Sequence, residues 1–221
     1  MMDFETARTK MVDSQLRTPD VTSHSVLKAF LTVPCEEFVS ETSRLVAYVD
    51  ENLPVGGAPN APRHIMAPSA LGKLLQLAGV QSSDSVLEIG AGTGYTTALL
   101  SILAGTVVAV ESDEALAQKA SELLAKLNYG SASVVTGDLT KGHAANAPYD
   151  LIFLNGSVEE VPSALLDQLG ENGRLIAVVG EGNAAKATVF QKSGSSVSVV
   201  PHFNASVKPL PGFQKLREFA F

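Results

Sequence analysis

Ser85-Val86-Leu87-Glu88-Ile89-Gly90-Ala91-Gly92-Thr93-Gly94-Tyr95 is the stretch whose reading decides the fold. Its first five residues form an apolar strand, three glycines follow at alternate positions, and Tyr95 to Leu103 reads as a helix. A strand that turns through glycines into a helix presents bare backbone N–H groups at the helix N-terminus, where no Cβ keeps a ligand away. Downstream the pattern alternates: strand 106–111, helix 113–127, strand 132–137, strand 150–154, helix 161–169 and strand 173–179. Ser112 or Asp113 caps the helix at 113–127, and the turn Glu171-Asn172-Gly173 leads into the last strand. Alternating β and α predicts a doubly wound, mostly parallel Rossmann-like sheet with helices on both faces. Its ligand belongs outside the carboxyl ends of the strands.

The flanks differ from this α/β core. Residues 3–17 and 20–32 read as helices broken at Thr18-Pro19-Asp20, the second capped by Asp20 or Thr22 and ended by Pro34. Residues 50–64 are rich in Pro and Gly and read as a loop, a wall or lid for a site. Pro68 opens a helix that Gly79 stops after Ala78. The organisation expected is a helical extension over 1–64 packed on a core over 65–221, together one structural unit. Towards the end Thr188-Val189-Phe190, Val197 to Val200 and Phe213 to Phe221 read as β segments, suiting an antiparallel edge.

The residues around the glycines select the ligand. In the dinucleotide fingerprint a third small residue falls where this chain has Tyr95, and a phosphate-binding P-loop needs a lysine that Gly94-Tyr95-Thr96 lacks. Glu88 repels phosphate and suits a ligand carrying an ammonium and a sulfonium. Glu111 ends the strand Thr106 to Val110 and lies 21 residues after Gly90, near the spacing at which such folds present an acid to ribose hydroxyls. Asp138, after Gly137, ends a third strand at the same edge, where it could meet an adenine amino group. Taken singly, the loop can be a tight turn and either acid a solvated strand end.

Composition narrows the class. The chain has 221 residues, 45% of them hydrophobic, a formal net charge of −7 and no basic block, which argues against a nucleic-acid partner. One cysteine, Cys35, allows no internal disulfide. The first residues lack a signal-peptide pattern, and the longest apolar tract, Ala98 to Val110, is too short to span a bilayer. A cytoplasmic protein without a membrane partner is expected. No His/Cys/Asp cluster has metal-ligand spacing, so no metal is expected.

The three strand ends, in this order, resemble class I S-adenosylmethionine-dependent methyltransferases. The flanks are similar to the protein-L-isoaspartate O-methyltransferase family: Met11-Val12-Asp13-Ser14-Gln15-Leu16-Arg17, Val33-Pro34-Cys35-Glu36-Glu37-Phe38, Leu53-Pro54-Val55-Gly56, Pro148-Tyr149-Asp150, Gly173-Arg174-Leu175 and Pro209-Leu210-Pro211-Gly212-Phe213. The resemblance implies S-adenosylmethionine as cofactor. Glu88 with Gly90, Ala91, Gly92, Thr93 and Gly94 would take its methionine part, Glu111 its ribose and Asp138 its adenine, with Ser112 and Leu139 in the same set. It implies methyl transfer to an isoaspartyl carboxylate of a protein or peptide, as protein repair, by a monomer.

The substrate side departs from the family. Where the family has Thr-Ile-Ser before Gln or Ala and Pro, this chain has His64-Ile65-Met66-Ala67-Pro68, with Met66 in the place of the active-site serine. Ser69 is the nearest hydroxyl, and Asn155-Gly156 replaces an Ala-Ala pair. His64, Met66, Ser69 and Asn155 are therefore the candidate acceptor-side residues, with no catalytic residue assigned. A different acceptor, a non-catalytic cofactor-binding protein and, more remotely, a nicotinamide oxidoreductase remain as alternatives.

Overall fold

The computed structural model describes residues 3–215. Its centre is a seven-stranded sheet in the order β5-β4-β3-β6-β7-β8-β9. The strands are β3 (Ser85–Ile89), β4 (Thr106–Glu111), β5 (Ala132–Thr136), β6 (Tyr149–Val158), β7 (Leu169–Val179), β8 (Lys186–Ser193) and β9 (Ser196–Asn204). Strands β5 to β7 are parallel, and β8 and β9 add antiparallel to that edge. From β3 the chain winds outward through β4 and β5, then returns to β6 on the other side of β3. This reversal opens a crevice at the carboxyl ends of β3 and β6, the place where a doubly wound sheet binds its ligand.

Period-2 alternation divides the core between the faces. Val86, Leu151 and Phe153 bury into one cluster with Phe30, Phe38, Leu71 and Leu99, while Leu87, Ile89, Ile152 and Leu154 bury into the other. Glu88 falls on the same face as Val86, beneath helix α4 (Tyr95–Leu103). The first cluster also holds Met11, Leu16 and Val26, so the N-terminal segment and the sheet share one core. Fully burying a side chain such as Phe30 or Leu99 stabilises the fold by roughly 1.5–3 kcal/mol.

Local chemistry sets the helix ends. Helix α1 (Phe4–Met11) runs on into a π-helical turn over Val12–Leu16. Helix α2 (His24–Thr32) starts later than its sequence pattern suggests and is capped by Ser23, not by Asp20 or Thr22. Asp20 takes a left-handed φ of 69°, and the Gln76 amide oxygen accepts the Thr22 and Ser23 N–H groups at 2.7 and 2.9 Å. Helix α3 (Pro68–Ala78) ends on Gly79 with φ 57°, a conformation glycine adopts without strain. Asp113 caps α5 (Glu114–Lys126) by accepting from the Leu116 N–H at 3.1 Å.

Three sequence expectations need correction. Residues 50–64 are not a loop but an antiparallel hairpin, β1 (Leu53–Ala58) with β2 (Ala61–Ile65), bulged between Pro54 and Gly56. A two-stranded ribbon consists of two edge strands, so its prolines can fall where no ladder donor is missed. The helix expected over 161–169 shrinks to α6 (Ser163–Leu166), because Leu169 is drawn into the sheet opposite Tyr149. Of the β segment expected from Phe213 to Phe221, residues 213–215 are outside any strand and 216–221 lie outside the described residues.

Arg174, on β7, ties three elements together. Its guanidinium pairs with Asp84 at 2.7 Å and donates to the carbonyls of Ala78 and Gly79 at the C-terminus of α3. Truncation would leave Asp84 buried without its cation and the helix end uncapped. Arg174→Ala should therefore lower unfolding free energy by about 2–3 kcal/mol, allowing for the arginine's partial exposure. Urea melts check this, and a loss below roughly 0.5 kcal/mol, the usual range of a surface change, would refute it.

Candidate functional site

The glycine loop sits in the crevice. Gly90 has φ 91°, a conformation that favours glycine, and a Cβ built on it would lie 2.6 Å from a Leu210 methyl, which would have to shift. Sequence reasoning left the loop's N–H groups free for a ligand, but the structure uses them internally. Gly90 and Ala91 donate to the Val110 carbonyl at 2.8 and 3.2 Å, and Gly94 to Ala91 at 2.9 Å. Gly92 donates to the Glu111 carboxylate at 2.8 Å, and the Thr93 hydroxyl to the Phe38 carbonyl at 2.7 Å. Tyr95 stands where a dinucleotide fold needs a small residue and packs its ring between Phe30 and Phe38, at centroid distances of 6.4 and 5.7 Å.

Glu88 has no exposed surface. Its carboxylate accepts from the Thr97 hydroxyl at 2.6 Å and from Asn155 Nδ2 at 3.0 Å. Asn155 Nδ2 also donates to the Gly90 carbonyl at 3.0 Å, so it ties the acid to the turn of the loop. Burial pushes the Glu88 carboxyl up to about 7 against the pull of the Thr97 and Asn155 hydrogen bonds, and the negative Glu111 adds to the rise. Such a group is poised to meet a cation, since a bound ammonium would favour its charged form.

Glu111, at the end of β4, is likewise fully enclosed. The backbone N–H groups of Gly92, Ser112 and Asp113 donate to it at 2.8, 2.8 and 3.1 Å. Arg63, reaching over from β2, adds a bidentate pair: Nη2 to Oε1 at 2.8 Å and Nε to Oε2 at 3.0 Å. Arg63 is only 4% exposed. Asp138 is different: it is exposed, and Thr140 donates to its carboxylate from both backbone N–H and hydroxyl, at 2.9 and 2.7 Å. These two bonds hold its carboxyl below the usual range, with a smaller contribution from Lys141. Leu139 beside it is buried with Ile89 and Val110, and Ser112 is exposed at the rim.

The acceptor-side candidates separate. His64, Met66 and Asn155 line one small cavity of about 10 Å³ together with Arg63, Lys208 and Leu210. Met66 is buried in the core cluster. His64 is held below its usual pKa by burial and by the nearby Lys208 charge, and its Nδ1 is buried without a hydrogen-bond partner. Ser69 lies elsewhere: it opens α3, donates its N–H to Asp50 at 2.9 Å and lines a separate cavity of about 570 Å³ with Lys73 and Phe203. It does not line the cavity of His64, Met66 and Asn155. Sequence reasoning missed Arg63, Thr97, Lys208 and Leu210. Only Leu210 carried a signal, as part of the Pro209 to Phe213 motif. Among the described residues no group of three His, Cys, Asp or Glu could hold a metal ion.

The acids therefore fit S-adenosylmethionine in chemistry: one beneath the loop for an ammonium, one at the second strand end for a ribose, one at the third for an amine. The space does not fit in this conformation. Residues 88–95 are all buried, with Leu210 over Gly90, Val55 over Gly92 and Arg63 on Glu111. A pocket for a molecule of that size occupies roughly 300 Å³ or more.

Comparison with known proteins places these features in a family. The family model described as protein-L-isoaspartate (D-aspartate) O-methyltransferase matches residues 6–210. The protein-L-isoaspartate O-methyltransferase of Koribacter versatilis is 36% identical over 96% of this chain and 93% of its own length. That of Methanoculleus marisnigri is 36% identical over 93% and 91%. A solved protein-L-isoaspartate O-methyltransferase superposes with a TM-score of 0.83 at 28% identity over 93% of this chain, which spans 66% of that longer one. A Plasmodium falciparum protein solved with S-adenosyl-L-homocysteine shares the fold, with a TM-score of 0.73 at 17% identity over 95% and 99% of the two chains.

The raised Glu88 carboxyl makes stability depend on pH in a defined direction. Between about 4.5, its ordinary value, and about 7, the folded protein holds a proton that the unfolded chain releases. Stability conferred by the neutral form is therefore complete below that window and lost as pH rises through it. Glu88→Gln, which stays neutral, should gain on the parent between pH 4.5 and pH 8 by up to about 3 kcal/mol. Paired denaturant melts across that range test it, and parallel curves for the two proteins would count against a titrating Glu88.

Proposed function

Because the chain belongs to the protein-L-isoaspartate O-methyltransferase family, we propose that it transfers a methyl group from S-adenosylmethionine to a carboxylate of a protein or peptide, the isoaspartyl carboxylate first among them. Members of this family are S-adenosylmethionine-dependent enzymes. The observation that carries the reading is the set of three acids at successive strand ends, Glu88, Glu111 and Asp138, around a glycine loop that rejects phosphate. In this reading Glu88 and Gly90 to Gly94 hold the methionine part, Glu111 and Ser112 the ribose, and Asp138 and Leu139 the adenine. The same reading has the protein act as a cytoplasmic monomer without nucleic acid or membrane. Its net charge of −7 is in keeping with a non-nucleic partner.

The cofactor supplies an electrophilic methyl group on sulfur. The acceptor carboxylate is already ionised at neutral pH, so no general base is required. What remains for the protein is to hold two ligands in line and keep water out. The region in question is lined by Met66 and Leu210 on the apolar side and by His64, Asn155, Arg63 and Lys208 on the polar side. Met66 supports a second reading, in which the acceptor is a different carboxyl compound, because a thioether donates no hydrogen bond to a carboxylate.

An isoaspartyl peptide and its ordinary aspartyl twin, each incubated with methyl-labelled cofactor, decide between these readings. The first expects base-labile label on the isoaspartyl peptide alone. Transfer no greater than in a protein-free control removes isoaspartyl activity. Met66→Ser then probes the divergence: restoring the hydroxyl should raise isoaspartyl kcat/KM at least about ten-fold, the scale of one useful hydrogen bond. No change would clear Met66 of responsibility.

A further inference from the structure

Residues 88–94 and Glu111, assigned to the cofactor, are covered by the chain itself, and one covering group imitates the ribose it would exclude. A pair of vicinal ribose hydroxyls offers a carboxylate two donors side by side. A guanidinium offers two in a planar fork. Arg63 places that fork on Glu111 at 2.8 and 3.0 Å, and Nη2 reaches on to the Ser112 hydroxyl at 2.9 Å. The interaction is closer to substitution than to general packing, because it uses the acid that the ribose would use.

The two partners do not depend on each other equally. Glu111 keeps three backbone N–H donors, from Gly92, Ser112 and Asp113, if the arginine leaves. Arg63 is served less well where it lies: its Nη1 is buried with no hydrogen-bond partner, a cost of roughly 1–3 kcal/mol that departure would relieve. The hairpin carrying it is buried at its base, at Leu53 and Ile65, and exposed from Gly56 to Asn60. Besides Arg63, Val55 approaches the glycine loop, 3.6 Å from a Cβ built on Gly92.

We propose that Arg63 is a built-in competitor for the ribose position, so that the β1–β2 hairpin closes the cofactor cleft through the Arg63–Glu111 pair and must release that pair before S-adenosylmethionine enters. This rests on the reading that the chain binds that cofactor. The strand that carries Arg63 continues into His64, so opening the cleft also moves this acceptor-side residue. Cofactor entry and acceptor site are thereby coupled through one strand. The apparent affinity is the intrinsic affinity reduced by the fraction of molecules whose hairpin is open.

The test is calorimetric titration of the full-length protein with S-adenosylhomocysteine, beside Arg63→Met and Arg63→Lys. Methionine keeps an apolar stem and removes the fork, and lysine keeps the charge but cannot bind bidentately. Arg63→Met should bind at least about ten-fold tighter than the parent and Arg63→Lys about three-fold tighter, in the order set by loss of the fork. Amide exchange over residues 53–65 without ligand should be faster in both variants. Should Arg63→Met fail to fold, the lysine variant and its exchange rates carry the test alone. Equal or weaker binding by the folded variants overturns the competitor while leaving the cofactor reading intact. If neither parent nor variants bind, the competitor and the cofactor reading fall together.

Discussion

A carboxylate at the end of a buried strand has to find donors for both oxygens, and Glu111 finds them on three separate elements. Gly92 of the glycine loop, Ser112 and Asp113 at the start of α5, and Arg63 of the β1–β2 hairpin all converge on it. An ionised carboxylate enclosed without such donors would cost several kcal/mol. The sheet, the loop, the helix N-terminus and the hairpin are thus held in one arrangement by one charge. Two features of the site follow from it: the Gly92 N–H is occupied, and Arg63 lies at the edge of the loop.

Glu88 is the second enclosed acid, and its solution is different. It has no cation. A hydroxyl from α4 and an amide from β6 compensate it in part, and its carboxyl is pushed up to about 7. Asn155 joins Glu88 to the Gly90 carbonyl across the switch point of the sheet, which an alanine there could not do. Met66 and Asn155 line the same small cavity, one apolar and one polar.

The strand-loop-helix unit was legible because its signals are local. Alternation, the glycines, Pro68 and Gly79, and Asp113 as a cap each act within a few residues. The hairpin was not legible, since prolines and glycines look like loop until two edge strands pair. Helix α6 was overestimated because sheet pairing at Leu169 takes residues that a helical pattern would claim. The three acids are legible as strand-end residues, Glu111 also by its spacing from Gly90, but their partners are not. Arg63 lies 48 residues from Glu111, inside a stretch with no period, and nothing local marks it as buried. The reading of free loop N–H groups failed for the same reason: the Val110 carbonyl and the Glu111 carboxylate that occupy them come from another strand.

If Arg63 and a nucleoside contend for Glu111, a crystal structure of the protein with S-adenosylhomocysteine bound will show both ribose hydroxyls on Glu111, Arg63 withdrawn from it and the β1–β2 hairpin displaced from the glycine loop. A nucleoside bound in the crevice with the Arg63–Glu111 pair intact would rule the competition out.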